Sequence, residues 1–230
     1  GTNPTCWNGS NGSVSASGSG GTGSYTYSKD GTNYQSSGTF SSLGTGWHTL
    51  YVKDSNGCIT YDYVLLSKSE PNATISVTNP VCNAGTGTIV VSGGSGGSGS
   101  GYQAKIGSGS YQNLPATFNT LSATSYTITV KDGGTCTRTY PVTITQPASP
   151  LVALGNTNFP PTCYGGSDGS VSFYGSGGTS PYTYSIDCIN YQSSGTFTGL
   201  TSGSYTGYTK DANQCVATIA RNINRTEIAT

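Results

Sequence analysis

Apolar and polar residues alternate along short stretches of the chain, most clearly near its middle. Residues 126–131 read Tyr-Thr-Ile-Thr-Val-Lys, with every second side chain aromatic or aliphatic. A period of two is typical of a β-strand with one buried face. With turn residues between them, such stretches predict seven strands, at residues 73–78, 87–92, 102–106, 111–114, 116–121, 126–131 and 137–145. Seven short strands without helical periodicity favour a sandwich of two antiparallel sheets.

The same pattern occurs three times, which indicates a tandem array. Residues 33–40 are identical to residues 190–197, and the first and third copies align without a gap at an offset of 157 residues. We predict an all-β fold, a tandem array of three Ig-like or fibronectin-like antiparallel β-sandwich domains. Their expected bounds are 1–71 (repeat 1, leading strand missing), 72–149 (repeat 2) and 150–225 (repeat 3), with 226–230 as a strand completing the next repeat or subunit.

Each repeat contains a lysine, an aspartate, three turn residues and a cysteine, and we call this segment the Lys-Asp turn. Its three copies are residues 53–58, 131–136 and 210–215. Because alternating runs enter and leave each copy, the segment predicts a β-hairpin. Asp54-x-Asn56-Gly57 and Asp211-x-Asn213 also resemble parts of a calcium loop, but the closing glutamate is missing. Hairpin formation explains these residues equally well, so we predict neither a metal nor a cofactor.

The composition excludes several classes of function. Only 8% of the residues are charged and the formal net charge is zero, whereas an average soluble domain has about 25% charged residues. A chain without a basic face is not expected to bind nucleic acid. No apolar run approaches the roughly 20 residues of a membrane-spanning helix. The 17 tyrosines suit half-buried positions in β-structure.

The seven cysteines predict disulfides and therefore an oxidising compartment. Six of them form pairs within repeats at spacings of 52, 54 and 52 residues, and the expected bonds are Cys6–Cys58, Cys82–Cys136 and Cys163–Cys215. Reduced structural cysteines and zinc ligands are the alternatives, although the chain has no close Cys-x-x-Cys pair and a single histidine. The odd cysteine, Cys188, is expected to be a free or intermolecular thiol.

The two ends of the chain predict a junction between repeats or subunits. Repeats 2 and 3 begin with a strand before their first cysteine, and repeat 1 begins directly with Gly1, Thr2 and Asn3. The strand that repeat 1 lacks is expected at the other end of the chain, at Thr226, Glu227, Ile228, Ala229 and Thr230. We therefore expect either covalent continuation into further repeats or head-to-tail self-association by strand addition.

Aromatic and histidine positions favour packing over catalysis. Tyr126 follows Leu121 as in the tyrosine corner of Ig-like sandwiches, Tyr205 takes the same place in repeat 3, and His48 takes it in repeat 1. We therefore expect His48 to pack, we find no acid–base pair, and we predict no catalytic residue and no enzyme. The pairs Tyr25 and Tyr27, and Tyr182 and Tyr184, are expected on half-buried faces; if exposed, they could stack on sugar rings.

The repeats resemble a known family. Repeat 3 carries Cys163-x-Gly-x-x-Asp-Gly-Ser-Val, then Pro-Tyr-Thr-Tyr-Ser, Gly-Thr-Phe-x-x-Leu and the last Lys-Asp turn. This pattern resembles the SprB-type repeat of very large surface adhesins in gliding, type IX-secreting bacteria. Repeat 1 matches nearly as well, and repeat 2 departs at Gly133-Gly134. The resemblance implies an extracellular, filamentous, adhesive or stalk-like role and assigns no catalytic residue.

We therefore expect a structural and adhesive protein of the extracellular cell surface, in which disulfide-linked Ig-like domains lie end to end in a filament or stalk. The alternative is a carbohydrate-binding array that uses exposed tyrosine faces, with a surface polysaccharide as its partner.

Overall fold

A computed structural model describes residues 1–225. Every regular element within those residues is a β-strand. In chain order the strands are β1 (Gly12–Ser15), β2 (Thr26–Ser28), β3 (Thr39–Leu43), β4 (Gly46–Lys53), β5 (Ile59–Leu66), β6 (Asn72–Thr78), β7 (Gly87–Ser95), β8 (Gln103–Ile106), β9 (Gln112–Asn113), β10 (Ala116–Leu121), β11 (Ser125–Lys131), β12 (Thr137–Thr143), β13 (Val152–Phe159), β14 (Gly169–Ser176), β15 (Thr183–Ser185), β16 (Thr196–Leu200), β17 (Gly203–Lys210) and β18 (Val216–Ile223). The seven strands predicted in repeat 2 are all present, as β6 to β12, with ends shifted by a few residues.

Each repeat contributes two sheets with the same order of strands. Repeat 3 has the orders β13-β14-β16 and β15-β17-β18, and repeat 2 has β6-β7-β10 and β9-β8-β11-β12. Repeat 1 has β1-β3 and β2-β4-β5, so its first sheet has one strand fewer. The strand pairs are antiparallel. The predicted all-β, Ig-like sandwich class is therefore confirmed.

The described residues form two compact units. The first contains Gly1–Ser76, Ile89–Phe118 and Ser125–Val142, and the second contains Val77–Thr88, Asn119–Thr124 and the chain from Thr143 onward. The predicted division into three domains at residues 71 and 149 stays a prediction.

The cores of repeats 1 and 3 lie between their two sheets. Val171 and Phe173 on β14 pack with Leu200 on β16 of the same sheet and with Ile223 on β18 of the facing sheet, and all four side chains are buried. In repeat 1 the corresponding cluster is Val14, Phe40, Leu43, Leu50 and Leu66. Full burial of one such side chain contributes about 1.5–3 kcal/mol, so each cluster holds its two sheets together.

One pair of core positions is exchanged between these two cores. Repeat 3 has Phe173 and Gly207 where repeat 1 has Ala16 and Leu50. A Cβ atom placed on Gly207 would lie 2.2 Å from the ring of Phe173, so the glycine makes room for the aromatic ring. Leu50 fills the same layer in repeat 1, where the smaller Ala16 leaves space for it.

The tyrosine-corner positions bond to their own backbone. The Tyr205 hydroxyl donates to the Thr201 carbonyl oxygen at 3.0 Å, and His48 Nε2 donates to the Gly44 carbonyl oxygen at 3.0 Å. In each case the acceptor lies four residues before the donor in the sequence, so His48 makes the same hydrogen bond in repeat 1 that Tyr205 makes in repeat 3. His48 therefore occupies the structural position that its alignment with Tyr205 predicts. No helix among residues 1–225 could cross a membrane.

Candidate functional site: the cysteine junctions

The three Lys-Asp turns have the same hydrogen bonds. The Asp54 amide donates to the Cys58 carbonyl at 3.0 Å, and the Cys58 amide donates to Asp54 Oδ1 at 2.9 Å. The same two bonds join Asp132 to Cys136 at 3.0 and 2.8 Å, and Asp211 to Cys215 at 3.0 and 2.9 Å. Each aspartate therefore fixes the backbone that presents its cysteine.

The second oxygen of each aspartate is also occupied. Amides of Thr22, Ser98 and Thr179 donate to Oδ2 of the three aspartates at 3.1, 2.7 and 3.0 Å. Hydrogen bonds to the charged form, first from the Cys58 amide and then from Thr22, lower the pKa of Asp54. Backbone amides thus donate to both carboxylate oxygens of each aspartate, as expected for a side chain that stabilises a β-hairpin. Among residues 1–225, no group of three His, Cys, Asp or Glu side chains could hold a metal ion.

The lysine of each turn lies over a tyrosine ring of the same repeat. Lys53 Nζ is 3.9 Å from the centroid of Tyr34, Lys131 is 4.4 Å from Tyr111, and Lys210 is 3.8 Å from Tyr191. A cation at this distance is attracted to the face of the ring, which contributes about 0.5–1 kcal/mol at an exposed site. The contact thus holds the lysine of each turn against a ring of its own repeat.

The first cysteine of each repeat also lies in a repeated turn. The amides of Gly9, Gly85 and Gly166 donate to the carbonyl oxygens of Cys6, Cys82 and Cys163, at 2.9, 3.1 and 3.0 Å. The chain therefore has two kinds of cysteine, one in the first turn of a repeat and one in the Lys-Asp turn, and each kind has one local geometry.

The disulfides join neighbouring repeats. Cys6 is bonded to Cys136 and Cys82 is bonded to Cys215, with Cα–Cα distances of 5.3 and 5.6 Å. The first cysteine of one repeat is thus bonded to the Lys-Asp cysteine of the next repeat, both times. The predicted bonds within repeats, Cys6–Cys58, Cys82–Cys136 and Cys163–Cys215, are wrong.

Strand geometry explains the error. In repeat 3, Gly169 near the first cysteine pairs with Leu200, which ends β16 shortly before β17 begins at Gly203. Cys215 follows the other end of β17, a strand of eight residues that spans about 26 Å. A disulfide needs Cα atoms within about 7 Å, so Cys163 cannot reach Cys215 in the same sandwich.

The bonded cysteines are half-buried or, at Cys136, buried. Cys136 is 2% exposed, and its Sγ lies 3.1 Å from the carbonyl oxygen of Thr5. Cys215 Sγ lies 3.7 Å from the carbonyl oxygen of Val81, which also accepts a hydrogen bond from Asn213 Nδ2 at 3.3 Å. In both junctions the residue before the first cysteine lies against the sulfur of the Lys-Asp turn.

Three cysteines are free and exposed: Cys58, Cys163 and Cys188. Cys58 belongs to the Lys-Asp turn of repeat 1, and Cys163 belongs to the first turn of repeat 3. Cys188 replaces Gly31 of repeat 1 and keeps its left-handed backbone, with φ values of 65° and 76°. Its Sγ lies 3.9 Å from the Tyr191 hydroxyl.

A groove of about 310 Å³ lies beside Cys58, lined by Gly21, Asp54 and Ile59 among others. In repeat 3 the equivalent residues Gly178, Asp211 and Val216 line a smaller groove of about 200 Å³, which Cys82 and the linker at Pro147–Leu151 also border. The groove of repeat 1 therefore corresponds to the surface of repeat 3 that lies against the preceding repeat.

Glycines beside these grooves show the same difference. A Cβ atom on Gly96 would lie 2.1 Å from the Glu70 carbonyl oxygen, and one on Gly177 would lie 2.1 Å from the Pro150 carbonyl oxygen. Linker backbone therefore lies directly on these glycines. At the equivalent Gly20, no atom of the described residues comes within 4 Å of such a Cβ.

The outer surface of β4 and β5 carries large exposed side chains, and we call it the aromatic face. It consists of Trp47, Ile59, Tyr61, Tyr63 and Leu65, each 48–70% exposed. The Tyr61 and Tyr63 rings pack edge to face with centroids 5.6 Å apart. The equivalent positions of repeat 3 are Ser204, Val216, Thr218, Ala220 and Asn222. This face was not predicted from the sequence, although the alternation of bulky residues from 59 to 65 is its signal.

The tyrosine pairs that the sequence offered for sugar binding are not exposed. Tyr25, Tyr27, Tyr182 and Tyr184 are half-buried, as the favoured interpretation predicts. Tyr27 and Tyr184 pack against the two cores, and the Tyr25 and Tyr182 hydroxyls donate to the carbonyl oxygens of Gly20 and Gly177.

Residues 2–32 and 156–188 match the family model of the SprB repeat. The resemblance to SprB repeats is confirmed. Both SprB segments contain the first cysteine turn of their repeat, Cys6 or Cys163, and the strands that follow it. SprB repeats and two disulfides fit an extracellular or surface protein with an adhesive role.

Solved structures resemble the chain only distantly. The mouse nectin-like molecule 4 ectodomain (Ig1–Ig3) has 10% identity, covers 96% of each chain and gives a TM-score of 0.32. Drosophila OTK extracellular domains 3–5 have 13% identity, with 86% of this chain and 83% of that chain covered and a TM-score of 0.27. No curated protein matches the chain. The fold assignment rests on the sheet orders and cores described above.

Proposed function

We propose that this protein is a structural and adhesive component of a bacterial cell-surface filament or stalk. The observation that carries the proposal is the bond from the first cysteine of one repeat to the Lys-Asp cysteine of the next, formed twice in the same register. Such bonds tie neighbouring repeats together, so they resist separation when the array is pulled. The formation of disulfides requires an oxidising compartment, which supports an extracellular location.

The first sheet of repeat 1 supports head-to-tail assembly. In repeat 3, β13 pairs with β14 over its length, and Arg221 Nε from β18 donates to the Gly155 carbonyl oxygen of β13 at 2.6 Å. In repeat 1 an isolated bridge between Thr2 and Ser13 stands where that strand would pair. A groove of about 450 Å³ lies beside it, between β1 and β5.

This groove is the place for a leading strand, and the edge that β1 presents to it is bridged at Ser13 alone among the described residues. We propose that a preceding repeat supplies the strand, either from another copy or from an extension of the same polypeptide. The predicted donor segment, Thr226 to Thr230, lies outside the described residues, and its role as a junction with Gly1, Thr2 and Asn3 stays a prediction.

Light scattering and negative-stain microscopy of the native protein over a series of concentrations test the assembly. We expect species whose mass grows with concentration and filaments with a regular axial repeat. A species of 23.4 kDa that stays monomeric over the whole series would contradict the proposal.

Carbohydrate binding is the second candidate function, because the aromatic face exposes Trp47 on β4 and the packed rings of Tyr61 and Tyr63 on β5. Aromatic rings of this kind bury large areas when they stack on an apolar surface. A glycan array with the intact protein and with Tyr61→Ser/Tyr63→Ser separates the two functions. Saturable binding that the double variant loses, and that the control Tyr164→Ser keeps, would favour a sugar-binding face; a stalk shows none.

A further inference from the structure

Two of the three free cysteines belong to the turns that form the disulfides and lack the partner that the pairing rule gives the others. The rule joins the first cysteine of a repeat to the Lys-Asp cysteine of the next repeat. Cys163 is a first cysteine without a following repeat among the described residues, and Cys58 is a Lys-Asp cysteine without a preceding one. We propose that Cys163 of one copy forms a disulfide with Cys58 of the next copy. This inference rests on the proposed head-to-tail assembly.

The bonded cysteines of the same chain show what each free cysteine can do. Cys58 lies in the same turn as Cys136 and Cys215, with the same pair of hydrogen bonds to its aspartate. Cys163 lies in the same turn as Cys6 and Cys82. Since both turns occur in bonded form elsewhere, the new junction needs no local change in either one.

The surroundings of Cys58 also correspond to a formed junction. Beside Cys215, Asn213 donates to the carbonyl of Val81, the residue before the first cysteine of the preceding repeat. Asn56 is the equivalent of Asn213, and Thr162 is the residue before Cys163. The open groove beside Cys58 thus has a donor in place for the Thr162 carbonyl of a second copy.

Cys188 does not fit this rule. It lies in a turn after β15, and the corresponding residues of repeats 1 and 2 are not cysteines. A bond to Cys188 would have no counterpart among the formed junctions. Cys188 is therefore the matched control for the two junction cysteines, because it is equally free and exposed.

A second copy is the partner because one chain carries both halves of the junction. Each copy then offers Cys163 to the copy that follows it and Cys58 to the copy that precedes it, so identical copies extend without limit. A head-to-tail contact between different surfaces that does not close into a ring produces an open filament. The disulfides within a copy and between copies would then obey the same pairing rule.

The bond forms by thiol–disulfide exchange with an external disulfide as the oxidant. The Cys58 thiolate attacks one sulfur of that disulfide and forms a mixed disulfide with it, and the other half of the oxidant leaves as a thiolate. The Cys163 thiolate of the second copy then attacks the Cys58 sulfur and expels the half that was bound to it. Two protein thiols lose two protons and two electrons, and the oxidant is reduced to two thiols.

The experiment uses the full chain with Cys188→Ser as the background, because this background removes the third free thiol. Protein is incubated with mixtures of reduced and oxidised glutathione and run on non-reducing gels. We expect a ladder at multiples of 23.4 kDa in the background, and no band above the monomer when Cys58→Ser or Cys163→Ser is added. An equimolar mixture of those two variants should give dimers and nothing larger.

Peptide mapping of the ladder should identify Cys58 linked to Cys163, and mapping of each variant should find Cys6–Cys136 and Cys82–Cys215 intact. A ladder that needs Cys188, a Cys58–Cys58 bond, or a Cys58–Cys163 bond within one chain would overturn the inference. If the serine variants still form filaments by microscopy and the background forms no ladder, the covalent link is wrong and the assembly stands. If neither filaments nor a ladder form, both are wrong.

Discussion

Repeats 1 and 3 are the most similar parts of the chain, and they differ at their edges. Inside each sandwich the Lys-Asp turn, the cation–π pair and the tyrosine-corner bond are the same. At the edge, repeat 3 has a complete leading strand and a bonded Cys215, whereas repeat 1 has an isolated bridge and a free Cys58. The interior of a repeat thus depends on its own residues, and its edge depends on the repeat before it.

Removal of a junction disulfide should have the largest effect. Chain-entropy reasoning gives about 5 kcal/mol for a bond that closes a loop of some 130 residues. We expect Cys82→Ser/Cys215→Ser to lower the free energy of unfolding by about that amount in urea titrations of the monomer. Cys58→Ser, at the equivalent turn of repeat 1, should change it by less than about 0.5 kcal/mol. Equal losses in both variants would show that the junction bond itself does not stabilise the protein.

The exchanged core pair should give the next largest effect. Phe173→Ala is expected to cost about 3–5 kcal/mol because it leaves a cavity between the sheets of repeat 3. Gly207→Leu should cost about 1–3 kcal/mol because the new side chain meets the Phe173 ring. The double variant reproduces the Ala16 and Leu50 combination of repeat 1, so its loss should be well below the sum. Additive losses in a urea double-mutant cycle would contradict this account.

The tyrosine corner should give a smaller effect. Tyr205→Phe removes the hydroxyl that bonds to Thr201 and should lower the free energy of unfolding by about 0.5–1.5 kcal/mol. His48→Tyr should leave it within about 0.5 kcal/mol, because tyrosine takes this place in repeat 3. A large loss on His48→Tyr, measured by the same titration, would mean that the histidine has a role beyond its bond to Gly44.

The smallest expected effect is the contribution of the Lys-Asp turn to acid stability. Because amide donors lower the pKa of Asp54 below 3.8, its ionised form stabilises the fold above that pH. This contribution is lost as the pH falls from about 3.8 through the lower pKa of the folded state. Asp54→Asn should therefore flatten the acid limb of a plot of unfolding midpoint against pH. An acid limb unchanged from that of the parent protein would count against the assignment.

The fold could be predicted because its cause is local. Alternation in segments such as residues 126–131 specifies which side chains face the core, and the offset of 157 residues carries that pattern from one repeat to another. The role of His48 could be predicted for the same reason, because its position relative to Leu43 matches that of Tyr205 relative to Leu200.

The disulfide partners could not be predicted because spacing along the chain is periodic for either connectivity. Cys6 lies 52 residues from Cys58 and 130 residues from Cys136, and the other repeats have similar intervals. The connectivity depends on which end of the sandwich each turn occupies, and only the three-dimensional fold determines that. The aromatic face was missed for a different reason, because bulky outward side chains on β5 have the same alternation as inward ones.

The two disulfides also affect what a protease can do to this molecule. Their loops, from Cys6 to Cys136 and from Cys82 to Cys215, overlap between residues 82 and 136. A single cut at any peptide bond from residue 6 to residue 215 therefore falls inside at least one loop, and the two fragments stay joined. The glycine- and serine-rich segment at residues 92–101 falls inside both loops. Exposed segments of small and polar residues are preferred sites of proteolytic cleavage, and here two cross-links keep the fragments joined after such a cut.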